Sequence, residues 1–254
     1  MDVAVANRLT ELNRQFYQTF GADFAATRLR VQPGVRRILS ALSGDESILD
    51  LGCGNGNLER ELARRGHRAP VLGLDFSLPL LERADSSPAG FPLLFAQADL
   101  TSEWGTVVRE EIRTAKSFPQ GFSRFDLVFA FATLHHIPAH ALRINFCRQV
   151  AAWLRPNGRF VLSNWQFLHS ERLRARIQPW NLIGLSAEDV EPGDYLLDWR
   201  SGGWGLRYVH HFDEEELSAL ASAGGFGVIE TFYADGHNSR LGLYQTWEKT
   251  GAGP

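Results

Sequence analysis

Ile48-Leu49-Asp50-Leu51-Gly52-Cys53-Gly54-Asn55-Gly56 is the stretch on which the fold turns. Ile48 to Leu51 reads as a short buried strand that runs straight into a glycine-spaced turn. The next residues, Leu58-Glu59-Arg60-Glu61-Leu62-Ala63, read as a helix. The glycines at 52, 54 and 56 each answer a need. One allows a tight turn at positive φ, the next leaves bare backbone for a ligand, and the third permits close strand–helix approach. The spacing Asp-x-Gly-x-Gly-x-Gly departs from the dinucleotide fingerprint Gly-x-Gly-x-x-Gly, in which a helix N-terminus stays open to a pyrophosphate. Here Asp50 precedes the turn, which suits a ligand carrying an ammonium group and a sulfonium.

Working outward, a second apolar run, Val71-Leu72-Gly73-Leu74, ends in Asp75. A carboxylate at that tip can accept hydrogen bonds from both hydroxyls of a ribose. A third run, Pro92 to Ala98, ends in Asp99-Leu100, where a carboxylate can take a hydrogen bond from an adenine amino group. Three strands that each end in an acid match an S-adenosylmethionine pocket, and the chain resembles the class I S-adenosylmethionine-dependent methyltransferases. That resemblance implies a Rossmann-like α/β fold: a seven-stranded, mostly parallel sheet, helices on both faces, an antiparallel last strand. The expected cofactor set is Asp50, Gly52, Cys53, Gly54, Gly56, Asp75, Phe76, Asp99 and Leu100, with Ala132 and Thr133 past the fourth strand.

The rest of the chain fits that plan. Strand and helix alternate through the middle, a pattern that demands a parallel sheet covered on both faces. Ser77 is the expected cap of a helix through Leu80, Leu81 and Ala84. Residues 101–120 read as an insertion, helical from Trp104 to Lys116. Phe125 to Phe131 is the fourth strand and leads to Leu134-His135-His136-Ile137-Pro138. A long helix then ends near Leu154, and the turn Arg155-Pro156-Asn157-Gly158 opens the fifth strand, Arg159 to Trp165. In such sheets a ligand lies beyond the carboxyl ends of the strands. That rule gathers the three acids and the 132–136 loop on one edge.

A single domain over residues 1–254 is expected. It divides into a helical lid (1–44), a cofactor core (45–165), a substrate-side cover (166–212) and a closing helix with strands (213–254). The lid rests on Leu9, Leu12, Phe16 and Phe20 at helical spacing, and on Pro33 opening a second helix. Tyr17 or Arg28 of this lid is placed to reach the methionine carboxylate. The cover mixes Arg172, Arg174 and Arg176 with Trp180, Trp199 and Trp204. A hydrophobic content of 44% and a charged content of 22% over 254 residues allow a full core. The net charge of −3 gives no global attraction for nucleic acid. Two cysteines, Cys53 and Cys147, form neither a disulfide framework nor a metal site. Without a signal peptide or a membrane-length apolar run, the expected setting is the cytoplasm.

A narrower likeness runs over most of the chain. It is carried by Tyr17, Phe24 with Thr27-Arg28, the glycine turn, His135-His136, Trp165, Asp194 and Trp199. It continues through Arg207-Tyr208-Val209-His210, Phe212, Glu216-Leu217 and Asn238. These residues resemble the methyltransferases that esterify 5-carboxymethyluridine at the wobble position of tRNA. The likeness implies tRNA as a partner and, as in eukaryotic members, a small zinc-binding activator protein. Asp198 replaces the family's proline, Leu142 precedes a single Arg143, and the 101–120 insertion is extra. These departures leave a small-molecule acceptor as the alternative, with a non-catalytic subunit on the same scaffold as a third.

Methyl transfer is an in-line displacement, so positioning supplies much of the acceleration. A carboxylate acceptor needs no general base, whereas an amine or hydroxyl profits from one. His135 is the expected catalytic residue, orienting the acceptor or taking its proton. Arg143, Arg207 and His210 are the expected anchors for an anionic acceptor, and Trp199 is expected to stack on an exposed base.

Overall fold

The computed structural model describes residues 1–27, 30–84 and 90–250. Helix α1 (Val3–Ala26) starts at Asp2, whose side chain accepts from the Ala4 N–H at 2.8 Å. Helix α2 (Pro33–Leu39) opens on its proline, as the missing N–H there costs nothing. The core then alternates: β1 (Ile48–Leu51), α3 (Asn57–Arg64), β2 (Val71–Asp75), α4 (Leu78–Leu81), β3 (Leu93–Gln97), α5 (Gly105–Thr114), β4 (Phe125–Phe131), α6 (His140–Trp153) and β5 (Leu154–Trp165). The cover contributes α7 (Glu171–Arg174), β6 (Ile177–Gln178), β7 (Asp194–Trp199) and β8 (Gly205–His210). Helix α8 (Glu214–Gly224) leads to β9 (Phe226–Ala234) and β10 (Gly242–Lys249).

Seven strands form one sheet in the order β3-β2-β1-β4-β5-β10-β9. Strands β1 to β5 pair in parallel, and β10 runs antiparallel to both β5 and β9. This is the expected Rossmann-like class I arrangement. Side-chain alternation explains why both faces are covered. Leu49 and Leu51 of β1 join a core with Val108 of α5, Phe146 of α6 and Leu217 of α8. Ile48, one residue out of phase, joins Val35 and Leu39 of α2 with Leu58 and Leu62 of α3 on the other face.

One local expectation is corrected. Ser77 sits at the N-cap of α4 without capping it, because its hydroxyl donates to the Tyr17 carbonyl at 3.4 Å. Helix α4 is one turn long. The cover is a second sheet, with β6-β7-β8 antiparallel and Asp194 opposite His210. Its strands escape a hydrophobic-pattern reading because Asp194, Asp198, Arg207 and His210 occupy buried positions. Among the described residues no helix is long and apolar enough to cross a membrane.

Candidate active site

The carboxyl ends of β1 to β5 share one rim of the sheet, and helix α1 lies across it. Between them is a cavity of about 340 Å³. Asp50, Gly52, Cys53 and Gly54 line it from the first tip, Asp75 and Phe76 from the second, and Asp99 and Leu100 from the third. Ala132, Thr133 and His135 line it past β4, and Tyr17 closes it from α1. Of the residues expected to meet the cofactor, all of these are brought together, and Gly56 is left outside the cavity. Arg28 lies outside the described residues.

The three glycines of the turn have different duties. At Gly52 (φ +83°) a Cβ would come within 2.2 Å of Thr133 Oγ1, so this glycine lets the β1 and β4 loops touch. At Gly54 (φ +57°) a Cβ would meet no protein atom within 4 Å, and the bare backbone faces open space. Gly56 does not line the cavity. It takes the left-handed conformation at the start of α3, where a Cβ would press on Phe95 at 3.0 Å and Ala84 at 3.1 Å. That is the close approach of helix and sheet read from its spacing.

The acids are held by backbone as much as by charge. Asp75 accepts from Gly54 N–H and Ser77 N–H, both at 2.9 Å, one on each oxygen. Each oxygen keeps a further lone pair for a hydroxyl. Burial pushes the Asp75 carboxyl up to about 6 despite those bonds. Asp50 is also raised, by burial first and then by the neighbouring Glu59 carboxylate. Asp99 accepts from the Thr101 N–H and hydroxyl on one oxygen, and from Arg14 of α1 at 2.5 Å on the other. A hydrogen bond from an adenine amino group would therefore share this carboxylate with Arg14.

Past β4 the backbone is held in an unusual shape. Ala132 has φ +55° and donates to the Ser163 hydroxyl at 3.0 Å. His135 is buried, and the Trp165 N–H points at its Nδ1 at 3.4 Å. That contact places the ring proton on Nε2. His136 also lines the cavity. Its Nδ1 faces the Tyr208 carbonyl at 3.2 Å and its Nε2 faces the Tyr17 hydroxyl at 2.8 Å. Tyr17 is therefore engaged by a histidine, where the sequence expectation gave it the methionine carboxylate.

Of the four expected acceptor anchors besides His135, the structure brings one to the cavity. Arg207 lines it while being only 4% exposed. Its guanidinium lies 4.9 Å from the Trp165 ring centre, 5.4 Å from Phe16, 5.7 Å from Trp199 and 5.9 Å from Phe24. Its Nε has no hydrogen-bond partner, and among the described residues no carboxylate pairs with it. Trp199 is corrected: it walls the arginine from behind and does not line the cavity, so its stacking partners are protein. Arg143 is corrected as well. It is buried and donates to Glu191 at 2.7 Å, outside the cavity, because a desolvated cation takes the nearest carboxylate. His210 is the third correction. It is clamped between Asp194 at 2.7 Å and Glu216 at 2.9 Å. Burial alone would lower its pKa, but these two hydrogen bonds raise it overall.

Several cavity residues were missed from the sequence. Thr10, Asn13 and Arg14 share with the expected Tyr17 one polar stripe of α1 at helical spacing, beside the apolar stripe that defined the helix. Asn164 of β5 lines the cavity with both amide atoms buried and unpartnered. Asp235 and Tyr244 line it from the closing strands, bonded to one another at 2.6 Å. Nothing in their sequence neighbourhood marks these three.

A methyltransferase-domain family model matches residues 22–231. The chain belongs to the methyltransferase-domain family. This methyltransferase is 29% identical over 187 residues to a ubiquinone biosynthesis O-methyltransferase of Azorhizobium caulinodans, covering 72% of this chain and 59% of that one. It is 32% identical over 127 residues to a trans-aconitate 2-methyltransferase of Acidovorax ebreus, covering 49% of this chain and 40% of that one. It thus spans less than two thirds of the length of both relatives. Among solved structures, an S-adenosylmethionine-dependent methyltransferase of Methanosarcina mazei shares the fold, with a TM-score of 0.62 and 23% identity. That alignment covers 87% of this chain and 99% of the other. The cofactor of this methyltransferase is S-adenosylmethionine, and the cavity fits it: bare backbone at Gly54 and three acids on neighbouring tips.

Proposed function

We propose that this methyltransferase esterifies a carboxylate on a small-molecule acceptor. The observation that carries the reading is Arg207. A guanidinium this buried, boxed by four rings and without a carboxylate partner among the described residues, is matched by an anion arriving from the cavity. A carboxylate offers a planar, bidentate fit and is already ionised at neutral pH. The donor tautomer of His135 supports the same chemistry, since an Nε2–H orients a carboxylate oxygen and cannot act as a base. S-adenosylmethionine supplies the electrophilic methyl group. The protein aligns the nucleophilic oxygen and keeps water away from it.

Helix α1 over the cavity favours an acceptor of small size, as does the relative named for trans-aconitate. The tRNA acceptor implied by the resemblance is the same ester chemistry on a nucleoside, with the zinc-binding activator as its companion. One experiment separates them. Cell extract split into small-molecule and tRNA fractions is incubated with the protein and methyl-labelled S-adenosylmethionine, then treated with mild alkali. Methyl esters release the label as volatile methanol. The reading expects alkali-labile label in the small-molecule fraction. It expects a loss of about 30-fold or more in Arg207→Met, because a buried charge pair loses roughly 2–5 kcal/mol when truncated. Label in tRNA would restore the nucleoside acceptor, and alkali-stable label would overturn the ester reading.

A further inference from the structure

Away from the catalytic rim lies a second opening, a cleft of about 810 Å³ that is largely built by the insertion at 101–120. Helix α5 turns Val108 into the core, while its Arg109 and Arg113 line the cleft, followed by Lys116 just past the helix end. Arg124 enters ahead of β4, and Trp153 from the end of α6. The cleft flanks the amino ends of β4 and β5, which begin at Phe125 and Leu154. The 7 residues of β4 separate this end of the strand from the catalytic rim by roughly 20 Å. The lining is one-sided in charge. Among the described residues no carboxylate lines it, although the whole chain carries a net charge of −3. Arg113 is spent on Glu110 of its own helix. Arg109, Lys116 and Arg124 form no ion pair among the described residues. Arg124 donates to the Ala152 carbonyl, and Arg109 lies 6.0 Å from the Trp153 ring centre.

The rest of the lining is aromatic and bare backbone. Phe118 and Phe122 form an edge-on pair at 4.9 Å. Trp153 is half-buried, with its indole nitrogen fixed against Gly105, where a Cβ would come within 2.8 Å of Nε1. At Gly121 (φ +81°) a Cβ would meet no protein atom within 4 Å, so the backbone there is open to a ligand. Cations gathered without a counter-charge attract an anion, and ring faces accept a planar group. Together they fit a ligand with phosphates at one end and an aromatic base at the other. The volume lies within the range of about 300–1,000 Å³ that takes small molecules. We propose that this cleft binds a free nucleoside diphosphate or triphosphate, its phosphates at Arg109, Lys116 and Arg124 and its base against Trp153. The site is independent of the cofactor cavity and of the ester reading.

The test is calorimetric titration with ADP of protein already saturated with S-adenosylhomocysteine, so that the adenosine part cannot enter the cofactor cavity. ADP is expected to bind, with adenosine and inorganic pyrophosphate each weaker by about tenfold or more, since each keeps only one half of the contacts. Arg109→Gln and Lys116→Gln, both at exposed positions, should each weaken ADP by about fivefold or more through a lost charge-assisted contact. Their affinity for S-adenosylhomocysteine should stay at the parent value. Trp153→Leu should weaken ADP and adenosine alike. No binding of ADP at millimolar concentration, or equal ADP affinity in the wild type and all three variants, would overturn the proposal. Binding of single-stranded RNA with none of ADP would make this face an RNA platform and overturn the free-nucleotide assignment.

Discussion

Gly52 and Gly54 lie two residues apart, both at positive φ, and the structure gives them opposite fates on substitution. A side chain at Gly52 collides with Thr133, whereas one at Gly54 enters space that no protein atom claims. Gly54→Val is therefore expected to bind S-adenosylhomocysteine at least about tenfold more weakly, since the branched side chain would occupy the ligand's place. Its circular dichroism should stay that of the parent. Equal affinity by calorimetry would contradict the assignment of that backbone to the cofactor. Asp75 offers a sharper test because its two roles oppose each other. Its folded-state pKa of about 6 is above the ordinary carboxylate value, so its charge destabilises the fold progressively as pH rises through that window. Without ligand, wild-type stability should fall as pH rises from about 4 to about 6, a decline that Asp75→Asn should lack in thermal melts. The same change should weaken S-adenosylhomocysteine by about 1–3 kcal/mol through a lost charge-assisted hydrogen bond. At this scale the acids at 50, 75 and 99 were legible because a strand tip followed by a turn fixes where a side chain goes. Trp199, Arg143 and His210 were not. Their chemistry suits an acceptor, but only the three-dimensional partner shows that each is already spent on the protein.

Helix α1 and the cover act together, and their joint is polar. Asn13 of α1 reaches into the edge of β8, accepting from Tyr208 N–H at 2.8 Å and donating to the Tyr208 carbonyl at 3.1 Å. Phe16 and Tyr17 pack with Trp199 and Leu80 in the same seam. Behind β8, Tyr208 and His210 both converge on Asp194, and Arg143 links α6 to Glu191 of the cover. Much of the likeness to the tRNA enzymes falls on these residues. They encode how the cover is fastened to the core and say little about what the cavity admits. Arg143→Ala should accordingly destabilise the fold by about 1–3 kcal/mol, since it removes a buried charge-assisted hydrogen bond to the partly exposed Glu191. Denaturant unfolding measures that loss, while affinity for S-adenosylhomocysteine should stay at the parent value. A variant of parental stability that no longer methylates its acceptor would return Arg143 to the substrate. The second sheet was hidden from the sequence for the same reason that it holds: its buried charges break the apolar alternation on which strand recognition depends.

Across the whole molecule the topology does the gathering. Parallel strands β1 to β5 deliver their carboxyl ends to one rim, and the order β3-β2-β1 makes the three acid-bearing tips immediate neighbours. The fold was legible because apolar runs alternating with helices leave few arrangements open. The acceptor side was less so, because it is assembled from α1, β5, β8 and the closing strands, segments far apart in sequence. The most direct measurement is a crystal structure of the protein with S-adenosylhomocysteine. The ligand should lie along this rim, with its backbone-facing part on Gly54, its ribose within hydrogen-bond distance of Asp75, its adenine beside Asp99 and Leu100, and its sulfur turned toward the space in front of Arg207. A ligand bound away from the three tips, or one whose sulfur faces away from Arg207, would contradict the account.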